Sequence, residues 1–245
     1  MRTSTRHFID DIKDADDLGQ AKNLLARVLD GTGFGTFNYV LAAGTSSGID
    51  DARPINCNNM RADWIERYSQ DRLDLNDYSF AYCQNSSTPL MWSDAQELAD
   101  AGFIDTKLMH ALHCGADFGI SKCVLVPLPT LGGFVSGGTL VAAPETSWSE
   151  TKRMFRAQEA DLVHIVSAFH AHVDHAEIAI DELRLTRREI DVLRWLADGL
   201  RYDAISDRIG NRRSTVEKQV LSARRKLSSR TTEQAVARAA WLGIV

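Results

Sequence analysis

Two tryptophans, a tyrosine and an aspartate sit in the first half of this 245-residue chain at spacings that could line a small-molecule pocket. Trp64 and Tyr68 are four residues apart, so on a helix they share one face. Asp77 and Trp92 follow. An indole N–H can donate to a carbonyl, a carboxylate can accept from an amide N–H, and aromatic walls can enclose a mostly apolar ligand. The same four residues also suit an ordinary core of aromatics beside a surface acid. Spacing alone leaves both readings open.

Other motifs offer less. Gly44-Thr45-Ser46-Ser47-Gly48 fits the G-x-S-x-G pattern after a strand, which raises a serine hydrolase as an alternative. A nucleophile elbow needs a helix directly after the serine. The residues that follow, IDDARPINCNN, are turn-like, so a loop between two strands is the better reading. Gly132, Gly133, Gly137 and Gly138 lack the Lys-Ser or Lys-Thr of a phosphate loop and suit turning and close packing within strands. His170, His172, Asp174 and His175 would form offset pairs on a helix, with no distant cluster to complete a zinc shell; a solvated helix end is expected. Cys57, Cys83, Cys114 and Cys123 show no C-x-x-C spacing and are expected as free thiols. No catalytic residue, metal or cofactor is expected.

A second chemistry lies in residues 183–245. They carry 14 Lys and Arg against 7 Asp and Glu, whereas residues 1–182 carry 14 against 26. A basic segment on an acidic chain is the footprint of phosphate contact. Thr186-Arg187-Arg188-Glu189 reads as a capping box that opens a helix with Ile190, Leu193, Leu196 and Ala197 inward, stopped at Gly199. A short helix over 202–209, with Ala204, Ile205 and Ile209 inward, ends at Gly210. Ser214-Thr215-Val216-Glu217 reads as a second capping box. It opens a third helix with Val216, Val220, Ala223 and Leu227 on its inner face. A fourth helix over 232–242 stops at Gly243. Short helix, tight turn and longer basic helix make a helix-turn-helix. On the third helix Glu217, Lys218, Gln219, Ser222 and Arg225 are expected to meet base edges or nearby backbone, with Arg212, Arg213 and Thr215 on phosphates.

The elements that would hold the candidate pocket alternate between helix and strand. Residues 21–29 and 60–69 read as helices, 34–42 as a strand, and 122–128 and 133–143 as a hairpin turning at Thr130-Leu131-Gly132. Residues 149–172 read as one long amphipathic helix. The fold class expected is α+β. An α/β/α sensor domain with a central antiparallel sheet occupies residues 1–172, a charge-mixed linker 173–182, and an all-α four-helix head 183–245. No apolar run of membrane-spanning length or signal peptide is found, so a cytoplasmic chain without a membrane partner is expected.

At these residues the chain resembles LuxR-type quorum-sensing transcription regulators. LTRREIDVLRWLADG, STVEKQV and RTTEQAVARAAWLGIV resemble the helices of their DNA-binding domain, with Glu189, Leu193 and Gly199 at hallmark positions and Gln219 where many members carry His. WIERYSQDRLDLND, Trp92 in MWSD, and ADFGISKCVLVPLP resemble their autoinducer-binding domain over roughly residues 15–170. The resemblance implies that Trp64 bonds the lactone carbonyl of an acyl-homoserine lactone and that Asp77 accepts from its amide N–H. Tyr68 and Trp92 would wall the pocket, and Thr139 would face the acyl chain. Three positions depart from the family: Met60 stands where many members use Tyr, Tyr78 where Pro usually follows the aspartate, and Cys123 at a hallmark Gly.

The expectation is a homodimeric, ligand-responsive transcription regulator, not an enzyme, whose partners are a small autoinducer, promoter DNA and RNA polymerase. The nearest alternative is a related receptor that answers a non-lactone compound or folds without ligand, for which Met60, Tyr78 and Cys123 speak.

Overall fold

Buried residues run almost without a break along three long strands, so the sheet they build must be covered on both faces. In the computed structural model, which describes residues 3–45, 48–49, 54–129, 134–173 and 175–245, the chain divides into two compact units after Val173. The first contains helices α1 (Thr3–Asp11) and α2 (Leu18–Asp30), strands β1 (Thr36–Thr45), β2 (Gly48–Ile49) and β3 (Ile55–Asn58), and helices α3 (Ala62–Gln70) and α4 (Tyr78–Asn85). Strand β4 (Leu90–Met91), helices α5 (Trp92–Asp100) and α6 (His110–Ala116), strands β5 (Cys123–Leu128) and β6 (Phe134–Val141), and helices α7 (Trp148–Arg156) and α8 (Glu159–His172) complete it.

The sheet runs β2-β1-β6-β5-β4, with β3 also on β1. The pairings β1·β2, β1·β6, β5·β6 and β4·β5 are antiparallel. Asn38 pairs with Thr139, and Thr139 with Leu125; Cys123 pairs with Val141. Side chains alternate between faces. One face therefore carries Asn38, Val40, Gly137, Thr139, Cys123 and Leu125. Helix α4 covers it: Phe80 clusters with Val40 and Ala42, and a Cβ on Gly137 would lie 2.7 Å from the Cys83 sulfur. The other face carries Phe37, Tyr39, Gly138 and Leu140 under α8. There Tyr39 meets Phe169 edge-on at 5.3 Å, and a Cβ on Gly138 would lie 2.6 Å from a Val166 methyl. The three layers are those expected.

Two expectations for this unit, the single long helix and its solvated end, need correction. The single helix over 149–172 is two, because Gln158 leaves helical geometry (φ −145°) and its side-chain amide donates to the Thr32 carbonyl at 2.7 Å. His170 is buried, not solvated: its Nδ1 lies 2.8 Å from the Tyr39 hydroxyl. Among the described residues no group of His, Cys, Asp and Glu could hold a metal, and Asp174 lies outside them. The GTSSG segment leads into β2, paired with the end of β1, and not into a helix; Ser46 and Ser47 lie outside the described residues, as do Thr130, Leu131, Gly132 and Gly133. The four cysteines are free. No helix among the described residues is long and apolar enough to cross a membrane.

The second unit holds α9 (His175–Glu182), α10 (Arg187–Ala197), α11 (Tyr202–Ile209), α12 (Arg213–Lys226) and α13 (Thr232–Trp241). The stretch read as linker thus contains a helix, with Ile178 and Ala179 buried. Thr186 and Glu189 make both bonds of the first capping box, and Gly199, Gly210 and Gly243 take the left-handed conformation that ends their helices. The second box does not form. Helix α12 starts at Arg213, Arg212 is its N-cap residue, and Glu217 is held by Arg213 instead of reaching back. Val192, Ile205, Val216 and Val220 make the core of the head, while Ala197 and Ala204, both expected inward, are exposed.

Candidate functional site

The apolar face of α3 points Trp64 into the first unit, where it meets Tyr68 edge-on at 5.5 Å and Phe118 at 5.4 Å. Trp64, Trp92 and Cys123 are buried in one cluster, with Met60 and Tyr68 packed against it. After α3 the chain must turn back over the sheet. Arg72 does this in the left-handed region (φ 50°), its guanidinium forked onto the buried carboxylate of Asp74 at 3.0 and 2.9 Å. That clamp delivers Asp77 to the start of α4. Its Oδ1 accepts from the Ser79 N–H and its Oδ2 from the Tyr68 hydroxyl, both at 2.8 Å.

Burial raises the Asp77 carboxyl, against the hydrogen bonds from Ser79 and Tyr68 that lower it. Burial, then the neighbouring Asp77, keeps Tyr68 far above its ordinary value, so its hydroxyl stays a donor. The same two influences push Cys83 up to about 12 and raise Cys123, leaving both as thiols and not thiolate nucleophiles. Asp77, Tyr78, Ser79, Trp92, Leu112 and Leu125 border a cleft whose free space is about 10 Å³, room for about one water molecule. Thr139 is buried on the strand beside Leu125.

The sequence-expected residues therefore converge. Met60, Trp64, Tyr68, Trp92 and Cys123 share a cluster, Asp77 joins it through Tyr68, and Thr139 stands on β6 on the sheet face that carries Cys123. The backbone donor of Ser79 and the polar side chain of Asn38 were not singled out. Asn38 could have been found from the period of two in TFNYVLA, which puts it on the face of Val40.

In the second unit, α11, the Gly210 turn and α12 form the helix-turn-helix. The exposed residues of α12 are Arg213, Ser214, Glu217, Lys218, Leu221 and Arg225, so Lys218 and Arg225 stand on an outward stripe that also takes in Ser214 and Leu221. Thr215 and Gln219 are half-buried at its flank. Ser222 turns inward: burial alone would raise the Glu189 carboxyl, but bonds from Lys226, Ser222 and Thr186 lower it overall. Arg213 is engaged by Asp203 at 2.9 Å and Glu217 at 3.0 Å, both exposed pairs. Arg212 is exposed beside the turn.

Residues 17–173 match the family described as autoinducer binding domain, and residues 183–239 match bacterial regulatory proteins, luxR family. The chain belongs to the LuxR family of autoinducer-binding transcription regulators. It is 27% identical to the transcriptional activator protein AnoR of Acinetobacter nosocomialis over 85% of this chain and 86% of that one. It is 26% identical to the quorum sensing-dependent transcriptional regulator RpaR of Rhodopseudomonas palustris, over 77% and 74%. The crystal structure of the N-acylhomoserine lactone dependent factor CepR2 of Burkholderia cenocepacia matches with a TM-score of 0.55 at 19% identity, covering 70% of this chain and 94% of that chain.

Within this LuxR-type frame the three departures have structural places. Met60 contributes bulk and no donor beside Trp64. Tyr78 opens α4 and lies 5.9 Å from Tyr82, ring to ring. Cys123 is fully buried in β5.

Proposed function

We propose that this regulator senses an acyl-homoserine lactone or a closely related amphiphilic signal between the sheet and helices α3 to α6, and binds pseudo-palindromic promoter DNA as a homodimer. The Tyr68–Asp77–Ser79 arrangement carries the reading. A carboxylate offers about four lone-pair directions, and Asp77 accepts from the Ser79 N–H, the Ser79 side chain and the Tyr68 hydroxyl, which leaves one direction for a ligand amide N–H. Trp64 supplies the donor for the lactone carbonyl. Tyr68, Trp92, Met60 and Cys123 supply apolar wall, and Thr139 faces the acyl chain. A ligand that binds only the folded state stabilises it by RT ln(1 + [L]/Kd), which couples signal to folding and dimerisation.

Two heads would then sit on half-sites about 34 Å apart, one helical turn of DNA. Glu217, Lys218, Gln219 and Arg225 read bases or nearby backbone, with Arg212, Arg213 and Thr215 on phosphates; Ser222 serves packing through Glu189. RNA polymerase is the natural downstream partner of a bound activator, and the cytoplasm the compartment where DNA is met. The test is mass spectrometry of ligand extracted from the chain expressed with and without added lactones, with soluble yield recorded. Co-purification of lactone with raised yield is the expected result; a soluble chain that never retains lactone sinks the reading.

One observation favours a second reading, a receptor that answers a different compound or needs none. The cleft has space for about one water, and Met60 and Cys123 belong to the apolar cluster that buries Trp92 at its border. Full solubility and operator binding without any added compound would decide for it.

A further inference from the structure

Helix α12 completes its inner face without Leu221. Val216, Val220, Ala223 and Leu227 are buried, whereas Leu221 keeps 45% of its surface open to solvent. Among the described residues, the exposed large hydrophobics of the second unit are Leu221 and Trp241. A lone exposed leucine is ordinary on most surfaces, so its place decides what it means. At about 100° per residue, Leu221 lies about 40° around α12 from Arg225 and from Glu217, and about 60° from Lys218, all of them exposed. The apolar side chain thus stands inside the charged outward stripe, where the sequence pointed to Ser222, which the fold turns inward to Glu189. A second copy of this face is a poor cover for it, since the exposed Arg212, Lys218 and Arg225 would meet their like. A polyanion is drawn to the same cations.

We infer that Leu221 is a specificity-determining residue of the DNA-reading face, and that it reads the C5-methyl group of a thymine in the major groove. The inference rests on the role proposed above for α12. Among the bases, thymine alone presents a methyl there, while the edges of the others carry amino, carbonyl and ring-nitrogen groups that need a partner or water. Leucine has neither donor nor acceptor, so against those edges it would strip water from a polar group and leave it unpaired. Against thymine it buries methyl on methyl. The steps from Lys218 to Leu221 and from Leu221 to Arg225 rise about 4.5 and 6 Å along α12, each more than the base-pair rise of about 3.4 Å. That spacing leaves each side chain its own base pair, with charged donors suited to guanine on either side of the leucine.

The probes are duplexes selected from a random-sequence pool by the soluble full-length chain, remade with deoxyuridine in place of each thymine in turn. Deoxyuridine pairs as thymidine does and lacks only the methyl. The wild-type chain is expected to lose about fourfold in affinity per half-site when the thymine under Leu221 is replaced, the loss for one buried methyl group. Leu221→Ala, an exposed change to a good helix former, should unfold at the parent's temperature and bind the thymine and uracil duplexes alike at that position. Wild-type affinity indifferent to uracil at every thymine overturns the inference, and this arm needs no variant to fold. So does the same uracil penalty in Leu221→Ala. Weakened self-association of Leu221→Ala without DNA also overturns it, because the leucine then serves a contact between copies. If no duplex is enriched, the reading role of α12 and this inference fall together; if duplexes are enriched but uracil makes no difference, only the inference falls.

Discussion

The Tyr68 hydroxyl donates to Asp77 Oδ2 at 2.8 Å, tying the last turn of α3 to the N-cap of α4. The link crosses nine residues of chain turned by the Arg72–Asp74 fork. It fixes the one carboxylate that the cleft presents, and it does so with a group that burial keeps protonated.

Asp77→Asn should keep the bond from the Ser79 N–H but exchange a charged acceptor for a neutral one. Ligand affinity should fall about tenfold or more, since hydrogen bonds to charged groups contribute about 1.5–3 kcal/mol. Tyr68→Phe should lower it less, because Ser79 still orients the carboxylate. Calorimetric titration with the lactone found to co-purify measures both. An Asp77→Asn chain that binds like the parent removes Asp77 from the pocket.

Because burial raises the Asp77 carboxyl, the folded chain holds this proton where the unfolded chain has released it. The folded state then binds more protons, so stability declines as the pH rises from the ordinary aspartate range, about 3.9, through the raised value. Ligand-free unfolding midpoints across that window should fall with pH through this group, and Asp77→Asn should flatten the trend. Identical pH profiles for parent and variant would show that Asp77 is not desolvated as described.

In the head, Lys226 Nζ donates to Glu189 Oε2 and to the Arg184 carbonyl, both at 2.7 Å, joining the end of α12 to the start of α10. Glu189 is 3% exposed, so Lys226→Met strands a buried carboxylate and should destabilise the head by about 2 kcal/mol. The stability given by the lowered Glu189 carboxyl is present above its ordinary range, about 4.3, and fades as pH falls through the depressed value. Hydrogen exchange in the full-length chain reads this directly: amides of α10 and α12 should open faster in the variant, and unchanged protection would contradict the assignment.

Lys218→Ala and Arg225→Ala, on the exposed stripe of α12, should weaken operator binding and relax sequence preference at the bases they meet. Gln219→Ala should weaken specific binding too, from the flank. Arg213→Ala acts differently. Its pairs with Asp203 and Glu217 are solvent-exposed and screened by salt, so phosphate can compete for the guanidinium. Its loss should lower the salt slope of binding by about one without changing sequence preference. Operator affinity that is unchanged in both Lys218→Ala and Gln219→Ala would take α12 out of the reading role.

What could be read from the chain was local. The Thr186–Glu189 box, the glycine stops and the inner face of α12 follow from residues within one or two turns. The failures trace to partners distant in sequence. Gln158 breaks a helix because Thr32, 126 residues away, offers a carbonyl, and His170 is buried because Tyr39, 131 residues away, lies beneath it. The second box gave way to Arg213, which finds Asp203 ten residues back. Trp64, Tyr68 and Asp77 stood out by type and spacing, but those left a pocket and an ordinary core both open. The period of two could place Asn38 on the face of Val40 but not beside Thr139, a neighbour that only the register sets.

Gly138 tests the packing of the sheet on α8 independently of any ligand. A Cβ there would stand 2.6 Å from one Val166 methyl and 3.7 Å from two other Val166 carbons. Val166 is itself buried and β-branched, so its rotamer has little freedom to yield. Gly138→Ala should therefore overpack this layer and destabilise the first unit by about 1–3 kcal/mol. The double variant with Val166→Ala should recover much of the loss, because the added methyl then enters space the valine vacates. Thermal unfolding of the four chains of this cycle gives the coupling directly. Additive losses would mean that Gly138 and Val166 are not in contact and that α8 sits elsewhere over the sheet.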